Sequence, residues 1–142
     1  MIDEEKTINV VNKVLGKKYV SGSMGPDTFD CWGLVRHVQK ELFGINLEMI
    51  EPPENGNIRE LIKFIRDHPE HKNWKKIDNP VHGGLVEMSN TIHPHHIGIY
   101  LDIDEGSILH CSLAGVTFDP IFILQASGWR KLTYYEYIED KE

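Results

Sequence analysis

Cys31 lies in the run Phe29-Asp30-Cys31-Trp32-Gly33-Leu34-Val35, at the first turn of a predicted amphipathic helix. Apolar Leu34, Val35, Val38 and Leu42 recur at helical spacing after it, and Gly44 supplies a stop. The unpaired amide N–H groups and macrodipole at a helix N-terminus favour an anion, and so favour thiolate, the nucleophilic form, over thiol. Downstream, His96 and His110 fall in the strand-like runs His96-Ile97-Gly98-Ile99-Tyr100-Leu101 and Ile108-Leu109-His110-Cys111. A helix-start thiol followed by two strand imidazoles contains the parts of a thiol hydrolase: a nucleophile, a base, and a group that orients the base.

The elements that must position these groups follow from the pattern around them. Asp3 caps a first helix running to about Leu15, with Ile8, Val11, Val14 and Leu15 inward and Gly16 as its stop. A glycine-rich loop from Tyr19 to Asp27 leads into the cysteine helix. A third helix is expected over residues 58–67, after the loop marked by Pro52-Pro53 and Asn55-Gly56. From Trp74 the pattern turns to short strands: Trp74 to Ile77, Leu85 to Met88, Ile97 to Leu101, Ser107 to Cys111, Val116 to Phe118 and Trp129 to Tyr135. Helices first and strands second predict an α+β fold, with N-terminal helices packed on an antiparallel sheet.

Side-chain alternation sorts the strand residues. His96, Gly98 and Tyr100 share one face, opposite Ile97, Ile99 and Leu101. Ile108 and His110 share a face, opposite Leu109 and Cys111. The short link from Asp102 to Gly106 makes the two strands antiparallel neighbours. The expectation is that His96 and His110 sit side by side facing the cysteine helix, with Cys111 pointing away as a packed core thiol.

With 142 residues, 40% hydrophobic and 26% charged, the chain reads as one ordinary folded domain over 1–142. A formal charge of −7 argues against nucleic acid, which selects a basic patch, and against attraction to anionic membranes. Met1-Ile2-Asp3-Glu4-Glu5-Lys6 has neither a basic n-region nor an apolar h-region, so no signal peptide is expected. Nor does any apolar run approach the roughly 20 residues of a membrane span. Two cysteines do not make a disulfide framework. The expectation is synthesis in the cytoplasm, with some other route to any site of action outside.

Four pieces in order give a resemblance to a known family. They are Tyr19 with the Gly22/Gly25 loop, Phe29 to Val35, Pro80 to Val86, and His96 to Leu101 with Leu109-His110. Over roughly residues 8–120 the chain resembles the NlpC/P60 family of papain-like cysteine peptidases, which cleave stem peptides of bacterial cell walls. The wording Cys31 to Arg36, followed by Phe43-Gly44-Ile45, looks most like the branch found in bacteriophage tail proteins. The resemblance implies a papain-like fold with Cys31 as nucleophile, His96 as general base and acid, and His110 orienting His96. It sets Tyr19 beside the nucleophile, where its hydroxyl would hold substrate or help stabilise the oxyanion. The Cys31 backbone amide would be the main oxyanion donor. Asp30 would cap the helix or contact the amine end of a peptide.

This chain departs from the family at two points. Trp32 stands where the family commonly has serine, as a bulky wall of the substrate pocket. Gly83-Gly84 stands where Gly-Asp is common. The resemblance implies no cofactor and no metal. It implies peptidoglycan peptide as substrate, most often cut between D-γ-glutamate and the diamino acid, and delivery by a virion in company with tail-tip proteins.

Other readings compete with this one. A zinc module would have to use Cys31, His96 and His110 themselves, because no CxxC pair and no HExxH is present. A structural tail-assembly protein with a vestigial site, and a papain-like amidase or acyltransferase with a non-wall substrate, are the remaining alternatives.

Overall fold

The computed structural model describes residues 3–20, 22–47, 73–89, 96–103 and 105–138. The helix expected over 58–67, and the loop histidines His93 and His95, lie outside the described residues. Helix α1 (Glu4–Val14) starts where Asp3 accepts a hydrogen bond from the Lys6 backbone N–H at 3.0 Å. Its buried face is Thr7, Val10, Val11 and Val14; Ile8 and Leu15, expected inward, are exposed. Short strands β1 (Lys18–Tyr19) and β2 (Thr28–Phe29) pair in parallel across the glycine-rich loop, which had shown no strand pattern. Helix α2 (Cys31–Phe43) ends with Gly44 in the left-handed conformation, φ 66°.

The remaining strands form one antiparallel sheet: β3 (Trp74–Ile77), β4 (Leu85–Ser89), β5 (His96–Leu101), β6 (Ser107–Ser112), β7 (Gly115–Pro120) and β8 (Lys131–Tyr137). Their order across the sheet is β3-β8-β4-β5-β6-β7, so β8 returns between the first two sheet strands. Between β7 and β8 runs a six-residue helix, α3 (Ile121–Ala126). At that length an apolar run carries no readable helical period, which is why the sequence did not predict it.

Alternation along the strands divides the interior into two parts. Ile97, Ile99 and Leu101 of β5, with Leu109 and Cys111 of β6 and Val116 of β7, pack against Val10, Val11 and Val14 of α1 and Leu34, Val35 and Val38 of α2. On the other face Val86, Met88 and Ile108 form a smaller cluster with Leu124 of α3, with Tyr100, Trp129, Leu132 and Tyr134 packed against it.

Candidate active site

Asp30 builds the start of α2 and pins the loop before it. Its Oδ1 accepts from the Gly33 N–H at 2.6 Å and its Oδ2 from the Gly22 N–H at 2.9 Å, so one buried carboxylate serves as both N-cap and loop clasp. Gly33 permits that closeness: a Cβ there would lie 2.1 Å from the Ser23 carbonyl oxygen. The Asp30 carboxyl sits above its ordinary range because burial outweighs the backbone N–H groups that favour its charged form.

Cys31 follows as the first helical residue, and its side chain is wholly buried. The helix terminus acts on the thiol as expected, since backbone N–H groups of Trp32 and Cys31 lower its pKa. Burial nevertheless wins, with the Asp30 charge adding to it, and the thiol titrates well above its ordinary value. The expectation of a ready thiolate is therefore corrected: desolvation of an anion outweighs the helix terminus here, and the resting group is the thiol. Tyr19 is beside it, its hydroxyl pushed up by burial and by the proximity of Cys31, Asp30 and Cys111. Trp32 is 2% exposed and belongs to the core under α2.

The imidazoles are positioned by the sheet. Gly98 pairs with His110 across β5 and β6, which sets His96 and His110 on one face. His96 Nε2 and His110 Nδ1 are 2.8 Å apart. Gly98 is needed for this packing, because a Cβ there would lie 2.8 Å from Ile108 Cγ2 and 3.0 Å from the His110 Cβ. The Trp129 ring stacks on His96 at 5.2 Å and 23°.

The orientation of these strands differs from expectation. Cys111 turns toward the helices, its Sγ 3.4 Å from the Phe29 carbonyl oxygen, and belongs to the same core as Cys31. His96 and His110 emerge on the opposite face, on the side of α3. The apolar row Ile97, Ile99 and Leu109 must cover the apolar stripe of α2, and period-two alternation then sends the imidazoles the other way. Cys111 is a buried core thiol, pushed up to about 12 chiefly by burial.

Two further residues join the imidazoles. The β6–β7 register pairs His110 with Thr117, and Asp119 lies two residues on, on the same face. Asp119 Oδ2 is 2.9 Å from His110 Nε2, and the Thr117 hydroxyl donates to the same oxygen at 2.8 Å. The turn at Leu113-Ala114, with Gly115 opposite Ser112, sets this register. Burial lowers the His110 pKa and Asp119 opposes that shift.

Among the described residues, no hydrogen bond joins Cys31 Sγ to either ring, and no group of three or more His, Cys, Asp and Glu is arranged to hold a metal ion.

A family model described as the NlpC/P60 family matches residues 16–135, most of the chain. The chain belongs to the NlpC/P60 family. Members of this family are cysteine peptidases and hydrolases, peptidoglycan hydrolases among them. Solved structures agree on the fold. NlpC1 from Trichomonas vaginalis superposes with a TM-score of 0.64 at 19% identity, covering 99% of this chain and 45% of that one. The NlpC/p60 domain of the peptidoglycan hydrolase SagA gives 0.57 at 16% identity, covering 94% and 97%. A Staphylococcus aureus protein of the NLP/P60 family, described as similar to lipoprotein, gives 0.63 at 20%, covering 99% and 43%. This NlpC/P60 chain thus spans less than half the length of the Trichomonas and Staphylococcus proteins and nearly all of the SagA domain. No curated protein matches it. The α+β architecture, with N-terminal helices on an antiparallel sheet, is that of a papain-like NlpC/P60 fold.

Proposed function

We propose that this NlpC/P60 chain is a cysteine peptidase that hydrolyses an amide bond in peptidoglycan stem peptides. The bond is the one between D-γ-glutamate and the diamino acid, and the site is Cys31, His96 and His110. One observation carries the reading: His96 Nε2 and His110 Nδ1 meet at 2.8 Å, the orienting contact that a catalytic imidazole requires. That contact commits His96 Nε2 to His110 and makes His96 Nδ1 the ring nitrogen for proton transfer.

His96 Nδ1 takes the proton from the Cys31 thiol as the sulfur attacks the scissile carbonyl. Because burial keeps the thiol protonated at rest, the base is required in the attacking step. The Cys31 backbone N–H faces the developing oxyanion, with the Tyr19 hydroxyl beside it. Collapse expels the amine, which leaves with the proton held by His96, and a thioester remains. His96 then deprotonates water, the thioester hydrolyses to a carboxylic acid, and the thiol is regenerated. Asp30 holds the helix start and loop through its two accepted hydrogen bonds.

The wording of the α2 motif supports a place in a phage or prophage tail tip, where the virion delivers the domain and loosens the wall locally. The deciding experiment is digestion of peptidoglycans of both common chemotypes by wild type and Cys31→Ala, with mass spectrometry of the fragments. New γ-glutamyl carboxyl and diamino acid amine ends made only by the wild type are expected. Equal cleavage by Cys31→Ala would overturn the mechanism, and cleavage of other amides alone would favour the amidase reading. For the tail role, virions carrying Cys31→Ala are expected to infect thick-walled hosts poorly. Normal infection would turn the reading to a structural tail protein.

A further inference from the structure

We infer that Asp119 is a positioning residue for this site, the end of a hydrogen-bond chain running Asp119–His110–His96 that sets the tautomer of both rings. The inference rests on the peptidase reading for its catalytic consequence, but its geometry stands alone.

The direction of each proton follows from the partners. The Thr117 hydroxyl donates to Asp119 Oδ2 at 2.8 Å, so that oxygen is an acceptor. The Thr117 oxygen is then available to accept, and it lies 3.2 Å from His110 Nε2. Asp119 Oδ2 is also 2.9 Å from His110 Nε2. Two acceptors converge on this one nitrogen, so Nε2 carries the proton, and a neutral His110 then has its lone pair on Nδ1. The neutral form is the one burial favours for His110. Its Nδ1 accepts across 2.8 Å from His96 Nε2–H. His96, protonated on Nε2, has its lone pair on Nδ1, the atom the peptidase mechanism uses as base. Three short contacts therefore convert one carboxylate into a specified tautomer two residues away.

Position and burial suit the role. His110 is 5% exposed in its side chain and Asp119 29%, so the inner end of the chain is shielded while the carboxylate keeps contact with solvent. The groups facing His110 are His96 from β5 and Thr117 and Asp119 from β7, with Trp129 stacked on His96. When His96 gains the thiol proton, its positive charge is met through His110 by the Asp119 charge. No proton need move from His110 to Asp119 for this, in keeping with the orienting carboxylate of a triad.

The test reads tautomers first and turnover second. In wild type, ¹⁵N NMR of the imidazoles is expected to show His110 and His96 both protonated on Nε2. Asp119→Asn, close in shape but without charge, is expected to mix the tautomers of both rings. It should lower kcat on a stem peptide about 10- to 100-fold with little change in KM, and Asp119→Glu should regain part of that loss. Protonation of His110 on Nδ1 in the wild type would overturn the inference even if no variant folds. So would an Asp119→Asn protein with unchanged nitrogen shifts and unchanged kcat. If the wild type cleaves no peptidoglycan, the peptidase reading falls, while the nitrogen shifts still decide the role of Asp119.

Discussion

The two faces of the sheet enclose chemically different interiors. On the face toward α1 and α2, a broad apolar core encloses Cys31 and Cys111, and desolvation dominates, so both thiols are driven toward their neutral form. On the face toward α3, a smaller apolar cluster borders a polar chain of His96, His110, Thr117 and Asp119. There buried polar atoms pair with one another, and the Asp119 hydrogen bond opposes the burial that lowers the His110 pKa.

Substitutions on the two faces should differ accordingly. The largest effect belongs to the thiol: Cys31→Ala should lower peptidoglycan hydrolysis by about 10⁵-fold or more while circular dichroism and melting stay close to wild type. A Cys31→Ala protein that unfolds would show that the thiol serves packing first.

Next come the two cores. Leu34→Ala, in the broad core, should cost about 4 kcal/mol, and Leu124→Ala, under α3, about 2 kcal/mol, because the smaller cluster can collapse onto the gap. Equal losses in urea unfolding would erase the distinction between the cores. Leu124→Ala should also lower activity more per kcal/mol lost, since α3 follows directly on the strand that carries Asp119.

Gly98→Ala tests the seam between the imidazoles. A methyl there must displace Ile108 or His110, so a loss of about 1–3 kcal/mol is expected together with a weakened His96–His110 contact. Unchanged imidazole nitrogen shifts would show that the strands absorb the methyl elsewhere.

The smallest effect is the pH dependence of stability. Burial lowers the pKa of His110, and likewise of His37 and His82, below the ordinary imidazole value. The unfolded chain therefore binds more protons, and stability, full above about pH 6.5, falls as the pH drops from there through the lowered folded values. Asp30 has the opposite sign: its raised carboxyl pKa favours the folded state as pH falls toward the ordinary carboxylate range. Melting temperatures between about pH 7.5 and about pH 5.5 should decline, and His110→Asn should flatten the curve. A rise over that interval would contradict the assignment.

Much of the architecture was legible because it depends on local pattern. The Asp3 cap, the Gly44 stop and the succession of six strands along the chain come from side chains acting within a few residues of themselves. So does the pairing of His96 with His110, once a short link makes β5 and β6 neighbours. What escaped was set by partners distant in the chain. Helix α3 is too short to show a period, and without it the second face of the sheet had nothing to bury against. The imidazoles were accordingly assigned to the helix side. Asp119 was missed because its role exists only through the β6–β7 register, which the turn at Leu113-Ala114 sets.

By itself, then, the sequence determined the α+β class, the thiol at a helix start, the imidazole pair and the family motifs, because periodicity, capping and turn chemistry are local. Which face each side chain occupies, the protonated state of the Cys31 thiol and the place of Asp119 were decided only in the tertiary structure. Burial and cross-strand contact depend on what the fold brings against a residue, and no residue's own neighbours in the chain specify that.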